Sequence, residues 1–356
     1  MRTTAILSEA WRNLVTGTTR AALFAVLLAL LSAGLAALEV TAVQQISAAA
    51  HTYVASGASV LTLRAPGRIS GSACEALDAV PGVRAAGALR STSATLVATV
   101  LPSSPLPEIE VTGGVLDVLR ADDRPGTGVV LSQEAAASLS VVAGDDLSTR
   151  AGGVLVTGTY AYPSDGREPG YGYAVLAPVA ANRAFDECWA DVWPQSREMP
   201  VMLRTTLLPA ETGDDRPVLS QLNGSLGARF DGTARFDGRA TRFAAPLALL
   251  LAGALGYVSV RRRRLELASA LHAGMRRWEL AAMLGIETLA WVLPAVVLTA
   301  TAVAALLATG PPLDAAAAGI LGARIGLSAV VGPFLGALAA LARTNERRLF
   351  QYFKDR

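Results

Sequence analysis

Four long apolar runs are separated by one short and one very long polar stretch. Ala21 to Leu38 is an uncharged run of 18 residues between Arg20 and Glu39. Phe243 to Val260 is a second run of 18, between Arg242 and Arg261. Thr288 to Leu313 holds 26 uncharged residues, enough to span and then turn at Gly310-Pro311-Pro312, and Ala315 to Leu341 is broken only by Arg324. A helix needs about 20 apolar residues to cross the hydrocarbon core. The pattern therefore predicts four transmembrane helices, over 21–43, 243–260, 288–309 and 315–342. The first run could be taken for a secretory signal, since arginines precede it and Ala-rich sequence follows. Signal cores run about 7–15 residues, so a longer run starting this far in reads as a retained anchor.

The segment between the first two runs changes periodicity repeatedly. Residues 39–57 continue the first run with helical character, and SVLTLRA (59–65) reads as a strand. SGSACEALDAV (70–80) reads as a helix with a Ser N-cap, closed by Pro81-Gly82. VRAAGALRSTSATLVATVL then returns as extended chain, completing a β-α-β unit. Further on come a strand (128–131), a capped helix (132–139), a hairpin around Gly152-Gly153 and a strand over 171–178. PVAANRAFDECW reads as a helix, 199–206 as a strand, 207–227 as a turn and helix, and 228–236 as the last strand. The expected fold class is an α-helical membrane protein with four transmembrane helices, one before and three after a mixed α+β extracytoplasmic domain over 44–242.

Composition and charge sharpen this. The chain is 52% hydrophobic and 17% charged, with mean hydropathy +0.41, too apolar for an ordinary soluble protein. The net charge of +2 implies no nucleic-acid partner. Residues 1–20, 261–287 and 342–356 together carry 14 basic and 6 acidic residues, whereas 39–242 carries 16 basic and 22 acidic. The positive-inside bias places both termini and the 261–287 loop in the cytoplasm. Cys74 and Cys188 both fall in the outer segment, where they form either one disulfide or two buried thiols.

Catalytic chemistry is not legible. The two histidines, His51 and His272, lie on opposite sides of the membrane, and His51 stands alone on an Ala-rich helix. No GxxxxGK[ST] loop occurs, no His/Cys pair has metal-ligand spacing, and paired aspartates such as Asp145-Asp146 sit in turns. We therefore expect neither an enzyme, nor a metal site, nor a resident cofactor. Arg324 is an intramembrane charge, and such a charge is a functional candidate by default; the alternative is an arginine near the span's outer end that snorkels to the interface.

The most informative stretch is RRRRLELASALHAGMRRWEL, from Arg261. Leu267, Leu271, Met275 and Trp278 recur at spacings of four, four and three, which is one face of a helix. Either the helix lies on the membrane and its arginines meet anionic lipid, or the apolar face docks in a groove on a cytoplasmic partner.

The stretch resembles the cytoplasmic loop of FtsX/MacB-type ABC permeases (the mechanotransmission, or Type VII, family). Arg261 to Arg264, Ala270-Leu271-His272-Ala273-Gly274, Arg276-Arg277 and Glu287 carry the resemblance. EAWRNLVTGTTRAALFAVLLALLSAG is similar to the family's approach to its first span, and GVVLSQEAAASLSVVAGDDL to part of its outer domain. The departures are His272, where a Gly is usual, and Arg264, near where a Glu is usual. The resemblance implies a non-catalytic permease subunit of the bacterial cytoplasmic membrane. It implies a separate cytoplasmic P-loop ATPase dimer that carries the ATP and Mg, and a second permease copy or homologous permease. An extracytoplasmic protein or lipoprotein and the membrane lipids are further partners. The work would be export of a hydrophobic compound, peptide or lipoprotein, or FtsX-like control of a cell-wall hydrolase. Leu267, Leu271, Met275 and Trp278 would anchor the ATPase, with Arg276 and Arg277 at the rim. The rival reading is a membrane-anchored binding or sensor protein that works without an ATPase.

Overall fold

The computed structural model describes residues 3–123, 127–209, 216–309 and 315–344, so the turn expected at 310–312 and the tail over 345–356 lie outside the described residues. Two compact units make up the chain, one from residues 1–49 with 232–356 and the other from 50–231.

The first unit is helical. It comprises α1 (Thr3–Val15) and α2 (Ala21–Ala55), the latter running on into the second unit. After the second unit come α7 (Gly232–Asp237), α8 (Ala244–Arg261), α9 (Arg264–His272), α10 (Arg277–Thr309) and α11 (Ala315–Arg343). Helices α2, α8, α10 and α11 are long and apolar enough to cross a membrane. They turn large apolar side chains outward, among them Leu30, Leu250, Leu293 and Leu335, as lipid-facing helices must. At 35 residues, α2 is about 52 Å long, well beyond the roughly 30 Å of hydrocarbon.

Small residues hold the bundle together. Ala244, Ala248, Ala252, Gly256 and Val260 form the buried stripe of α8, which meets Gly332, Pro333 and Gly336 of α11 at backbone distance. A Cβ on Gly336 would stand 1.8 Å from the Gly253 carbonyl oxygen, and one on Gly256 2.1 Å from that of Pro333. Apolar side chains gain little by leaving lipid, so close backbone approach supplies the attraction. On the other side Phe24 stacks against Trp291 with ring centroids 5.6 Å apart, and Ser32 shares a 2.6 Å hydrogen bond with Thr299.

The second unit is a mixed α/β domain. Its strands are β1 (Val60–Ser70), β2 (Val83–Leu96), β3 (Leu106–Val111), β4 (Asp122–Asp123), β5 (Val129–Ser132), β6 (Asp146–Thr149), β7 (Gly152–Tyr160), β8 (Val175–Pro178), β9 (Ala184–Val192) and β10 (Val218–Gln221). They form one sheet in the order β10-β1-β9-β2-β3-β8-β5-β7-β4, with β6 paired to β7. β3/β8 and β5/β7 run parallel and the other pairs antiparallel. Short helices α3 (Gly71–Glu75), α4 (Gly113–Leu119), α5 (Gln133–Leu139) and α6 (Met199–Arg204) pack beside it. Cys74 of α3 and Cys188 of β9 are disulfide-bonded, with Cα atoms 5.8 Å apart, inside a cluster that includes Phe185, Leu63 and Met199.

Four sequence expectations are corrected here. Residues 184–189, expected as part of a helix, lie in the central strand β9, which is bonded on both sides by β1 and β2. Trp189 faces one core cluster while Phe185, Cys188 and Ala190 face another. A strand buried on both faces loses the polar alternation that identifies it. Residues 199–204, expected as a strand, are helix α6: Pro200 sits in its first turn, and Met199 and Leu203, one helical turn apart, are its buried residues. The helix expected within 207–227 is replaced by the edge strand β10, and the strand expected over 228–236 by helix α7.

Two outcomes follow. Gly336→Val cannot be accommodated beside Gly253 and should lower the melting temperature of the detergent-solubilised chain, at a cost of roughly 2 kcal/mol or more. Gly285→Ala, which meets nothing within 4 Å, should leave it unchanged or raised. The Cys74–Cys188 link spans 114 residues, so Cys74→Ala with Cys188→Ala should cost about 3–5 kcal/mol in denaturant unfolding. An unchanged midpoint would show that the link closes no loop that matters.

Candidate functional site

The arginine-rich stretch folds as a helix, a turn and the start of another helix. α8 stops at Arg261, α9 runs from Arg264 to His272, and α10 begins at Arg277. Gly274 breaks the run, because its backbone sits in the left-handed region at φ 91°, which side chains with a Cβ resist. The Met275 amide then bonds back to the Ala270 carbonyl at 3.1 Å and the Gly274 amide to that of Leu271 at 3.0 Å, closing α9. Glu279 accepts from the Arg276 amide at 2.8 Å and so starts α10.

This break rearranges the expected anchor face. Leu267 is 1% exposed, and with Leu271 it packs against Ile6 and Ala10 of α1, Leu280 and Leu284 of α10, and Leu341 of α11. Both are spent on the chain's own core, which corrects the reading of four anchors on one free helical face. Met275 is half-buried against the same cluster. Trp278 is 56% exposed, and Arg276 and Arg277 are exposed beside it; Arg277 also donates to the Thr344 carbonyl at 3.3 Å. Ala270, Gly274, Met275, Arg276, Trp278 and Glu279 border an open hollow of about 620 Å³ at the turn.

Beneath the turn lies a cluster of charges that the spacing of apolar residues does not reveal. Arg263 is buried, donating to Glu287 at 2.6 Å and to the two carboxylate oxygens of Glu266 at 2.9 and 2.5 Å. Asn13 of α1 donates to the other Glu287 oxygen at 2.8 Å. Burial works to lower the pKa of Arg263, but its bonds to Glu266 and the charge of Glu287 outweigh that and hold it above the ordinary value. Four segments thus meet on one guanidinium–carboxylate pair whose side chains are 8% and 5% exposed. In sequence the only hints are the three-residue spacing of Arg263 and Glu266 and a glutamate at the head of an apolar run.

A second junction lies within the 50–231 unit, where the last turn of α2 is gripped. Tyr53 is buried against Trp193 and Phe230. Its hydroxyl accepts from Gln195 and Gln221, both at 2.9 Å, and donates to the Gly227 carbonyl at 3.2 Å. Arg167 donates to the Ala55 and Ser56 carbonyls at 2.8 and 3.1 Å, placing a cation on the negative end of the helix. Neither Tyr53 nor Arg167 stood out in the sequence, since each is an ordinary residue until the fold brings it to the helix end.

Arg324 is exposed on α11. Among the described residues no group of three or more His, Cys, Asp or Glu is placed to hold a metal.

No protein-family model matches the chain, and no curated protein matches it. Among solved structures it is similar to the periplasmic region of MacB from Actinobacillus actinomycetemcomitans, at 11% identity and TM-score 0.32, over 41% of this chain and 79% of that one. It is also similar to the extracellular domain of the noncanonic ABC-type transporter YknZ from Gram-positive bacteria, at 12% identity and TM-score 0.29, over 40% and 88%. A domain of a putative permease protein from Porphyromonas gingivalis is similar at 12% identity and TM-score 0.31, over 40% and 78%.

The buried charge cluster makes a direct prediction. Arg263→Met leaves Glu287 uncompensated and should cost about 3–5 kcal/mol, whereas Arg262→Met, at an exposed position, should cost little. Adding Glu287→Leu to Arg263→Met should recover much of the loss, since an apolar pair of similar volume replaces the ions. Thermal unfolding of the solubilised full chain reads all three; equal melting points for the two arginine variants would rule out the buried pair.

Proposed function

We propose that this chain is the permease subunit of an FtsX/MacB-type ABC transporter, lying multi-pass in a bacterial cytoplasmic membrane with both termini inside. One span precedes the extracytoplasmic domain and three follow it. The observation that carries the reading is the turn at Gly274: it presents Trp278 and Arg276 outward, with Met275 half-buried at the edge of the hollow, while its inner side is locked to α1 and α10. A rigid knuckle with an aromatic tip and cationic rim is what a partner's groove needs to push against. The resembling motifs, Arg261 to Arg264, Ala270 to Gly274 and Glu287, lie in and around that knuckle.

The partner is a cytoplasmic P-loop ATPase dimer, with ATP and Mg held there; this chain supplies no catalytic group. Motion of the knuckle passes through the Arg263–Glu287 pair into α10. α2 runs without a break from the membrane to Ala55, where Tyr53 and Arg167 fix its end, and this supports a mechanical role for the first span. α1 carries an outward stripe of Leu7, Trp11 and Val15, which fits a helix lying in the inner interface. The permease works as a pair, with a second copy or a homologue. The cargo is a hydrophobic compound, peptide or lipoprotein; control of a cell-wall hydrolase is the alternative use of the same motion.

Pull-down of the ATPase at matched membrane levels tests this. Trp278→Ala should weaken capture by roughly 2 kcal/mol, about thirtyfold, as loss of a central aromatic anchor does. Arg276→Glu should chiefly slow association and change its salt dependence. Leu271→Asp should instead reduce the amount of folded protein, because Leu271 is a core residue. Undiminished capture and undiminished ATPase coupling with Trp278→Ala would leave the turn a lipid-facing topology signal and favour the ATPase-independent binding or sensor protein.

A further inference from the structure

Charges bracket three of the apolar helices at one common interval. Arg20 just before α2 and Glu39 within it, Arg242 before α8 and Arg261 at its end, and Arg324 and Arg343 on α11 are each 19 residues apart. At 1.5 Å per residue that interval is about 28 Å, close to the thickness of a bilayer's hydrocarbon core.

The packing shows that the brackets lie at shared levels. At one end Ala36, Ala244 and Ile325, which stand next to Glu39, Arg242 and Arg324, form a single buried cluster. At the other end Val260 and Leu341, next to Arg261 and Arg343, share a cluster with Leu284. α10 falls into step: Trp291 meets Phe24 and Thr299 meets Ser32, an offset of 267 residues that sets Glu287 level with Arg20 and Leu306 level with Glu39.

At the outer level the charges differ in how they are satisfied. Glu39 is buried and accepts from Arg239 at 3.0 Å, and Arg242 lies over the Phe243 ring. Arg324 points away from the bundle between Ile320 and Leu327, each 64% exposed. Among the described residues none pairs with its guanidinium. Among the described residues the acid a second copy would carry at this level is Glu39, which is buried and held by Arg239, and 21–38, 243–260, 288–306 and 325–342 contain no Asp or Glu.

We infer that Arg324 marks the outer face of the hydrocarbon core and binds the phosphate of an outer-leaflet phospholipid, with Ile320 and Leu327 flanking that lipid. A guanidinium at this depth matches a phosphate in charge and in its forked donors, and its three-carbon stem lies against apolar surface. Arg324 is then a lipid contact at the outer boundary rather than a charge stranded at mid-membrane. Residues 315–323 of α11 rise above the core, beside the stretch of α2 that follows Glu39, where Gln44 donates to the Leu306 carbonyl at 3.1 Å.

The test uses the full chain in nanodiscs of phosphatidylcholine and phosphatidylglycerol, independent of any ATPase. Spin labels at single positions from 317 to 331 should pass from accessibility to a water-soluble nickel complex to accessibility to oxygen within one turn of 324. Oxygen accessibility already at 317 would place Arg324 inside the core and overturn the inference. A photo-cross-linking residue replacing Ala323 should form a lipid adduct; an adduct with a second copy would assign the face to protein instead. Native mass spectrometry should find one retained phospholipid fewer for Arg324→Leu and no change for Arg324→Lys. Undiminished phospholipid retention in Arg324→Leu would remove the phosphate contact.

Discussion

A charge in hydrocarbon is costly, and that single cost arranges the helical unit. Glu39, Arg261, Glu287, Arg324 and Arg343 stand at one of two levels about 28 Å apart, and the stretches between them, 21–38, 243–260, 288–306 and 325–342, contain no Asp, Glu, Lys or Arg. At one level the acid is Glu287, held by Arg263 and Asn13; at the other it is Glu39, held by Arg239. Among the described residues the polar contacts between the levels are short ones such as Ser32 to Thr299, whose hydroxyls also bond to carbonyls of their own helices. Once these levels are fixed, helix lengths and overhangs follow, including the long extension of α2.

Lipid removes the usual hydrophobic reason for helices to associate, so the interior is built from what can approach closely. The α8/α11 contact is the clearest case, with Gly253, Gly256, Gly332 and Gly336 bringing backbones within reach of one another. Such a contact resists side-chain growth and passes displacement from one helix to the other with little slack. By contrast, the 50–231 unit is stabilised as a water-soluble domain is, by a sheet covered on both faces and a buried disulfide.

The sequence was most readable where one constraint acts alone. The apolar runs locate the four long helices because lipid tolerates nothing else, and capping serines at 70 and 132 mark helix starts that the structure retains. It was least readable where tertiary burial overrode local pattern. Residues 184–192 lack alternation because both sheet faces are covered, and an Ala- and Cys-containing stretch then imitates a helix. Leu267, Leu271, Met275 and Trp278 have helical spacing across a break, since spacing cannot register the left-handed backbone at Gly274. Periodicity marked those positions as apolar but could not say whether they meet a partner or their own core. Arg263 was hidden for the opposite reason: among four consecutive arginines, only the fold decides which one turns inward.

That inward arginine is informative about mechanism. An apolar core at the inner end would fix α1, α9 and α10 at least as firmly, because desolvating an ion pair offsets much of its attraction. Ions differ from an apolar core in being directional. The Arg263 guanidinium reaches Glu266 on one side and Glu287 on the other, so a displaced α9 carries one carboxylate with it and strains its hold on the second. Intermediate positions leave a buried charge unpaired, which favours discrete arrangements over gradual sliding. On the function proposed above, such a link turns a push at Trp278 into a defined movement of α10, and Asn13 draws α1 into the same exchange.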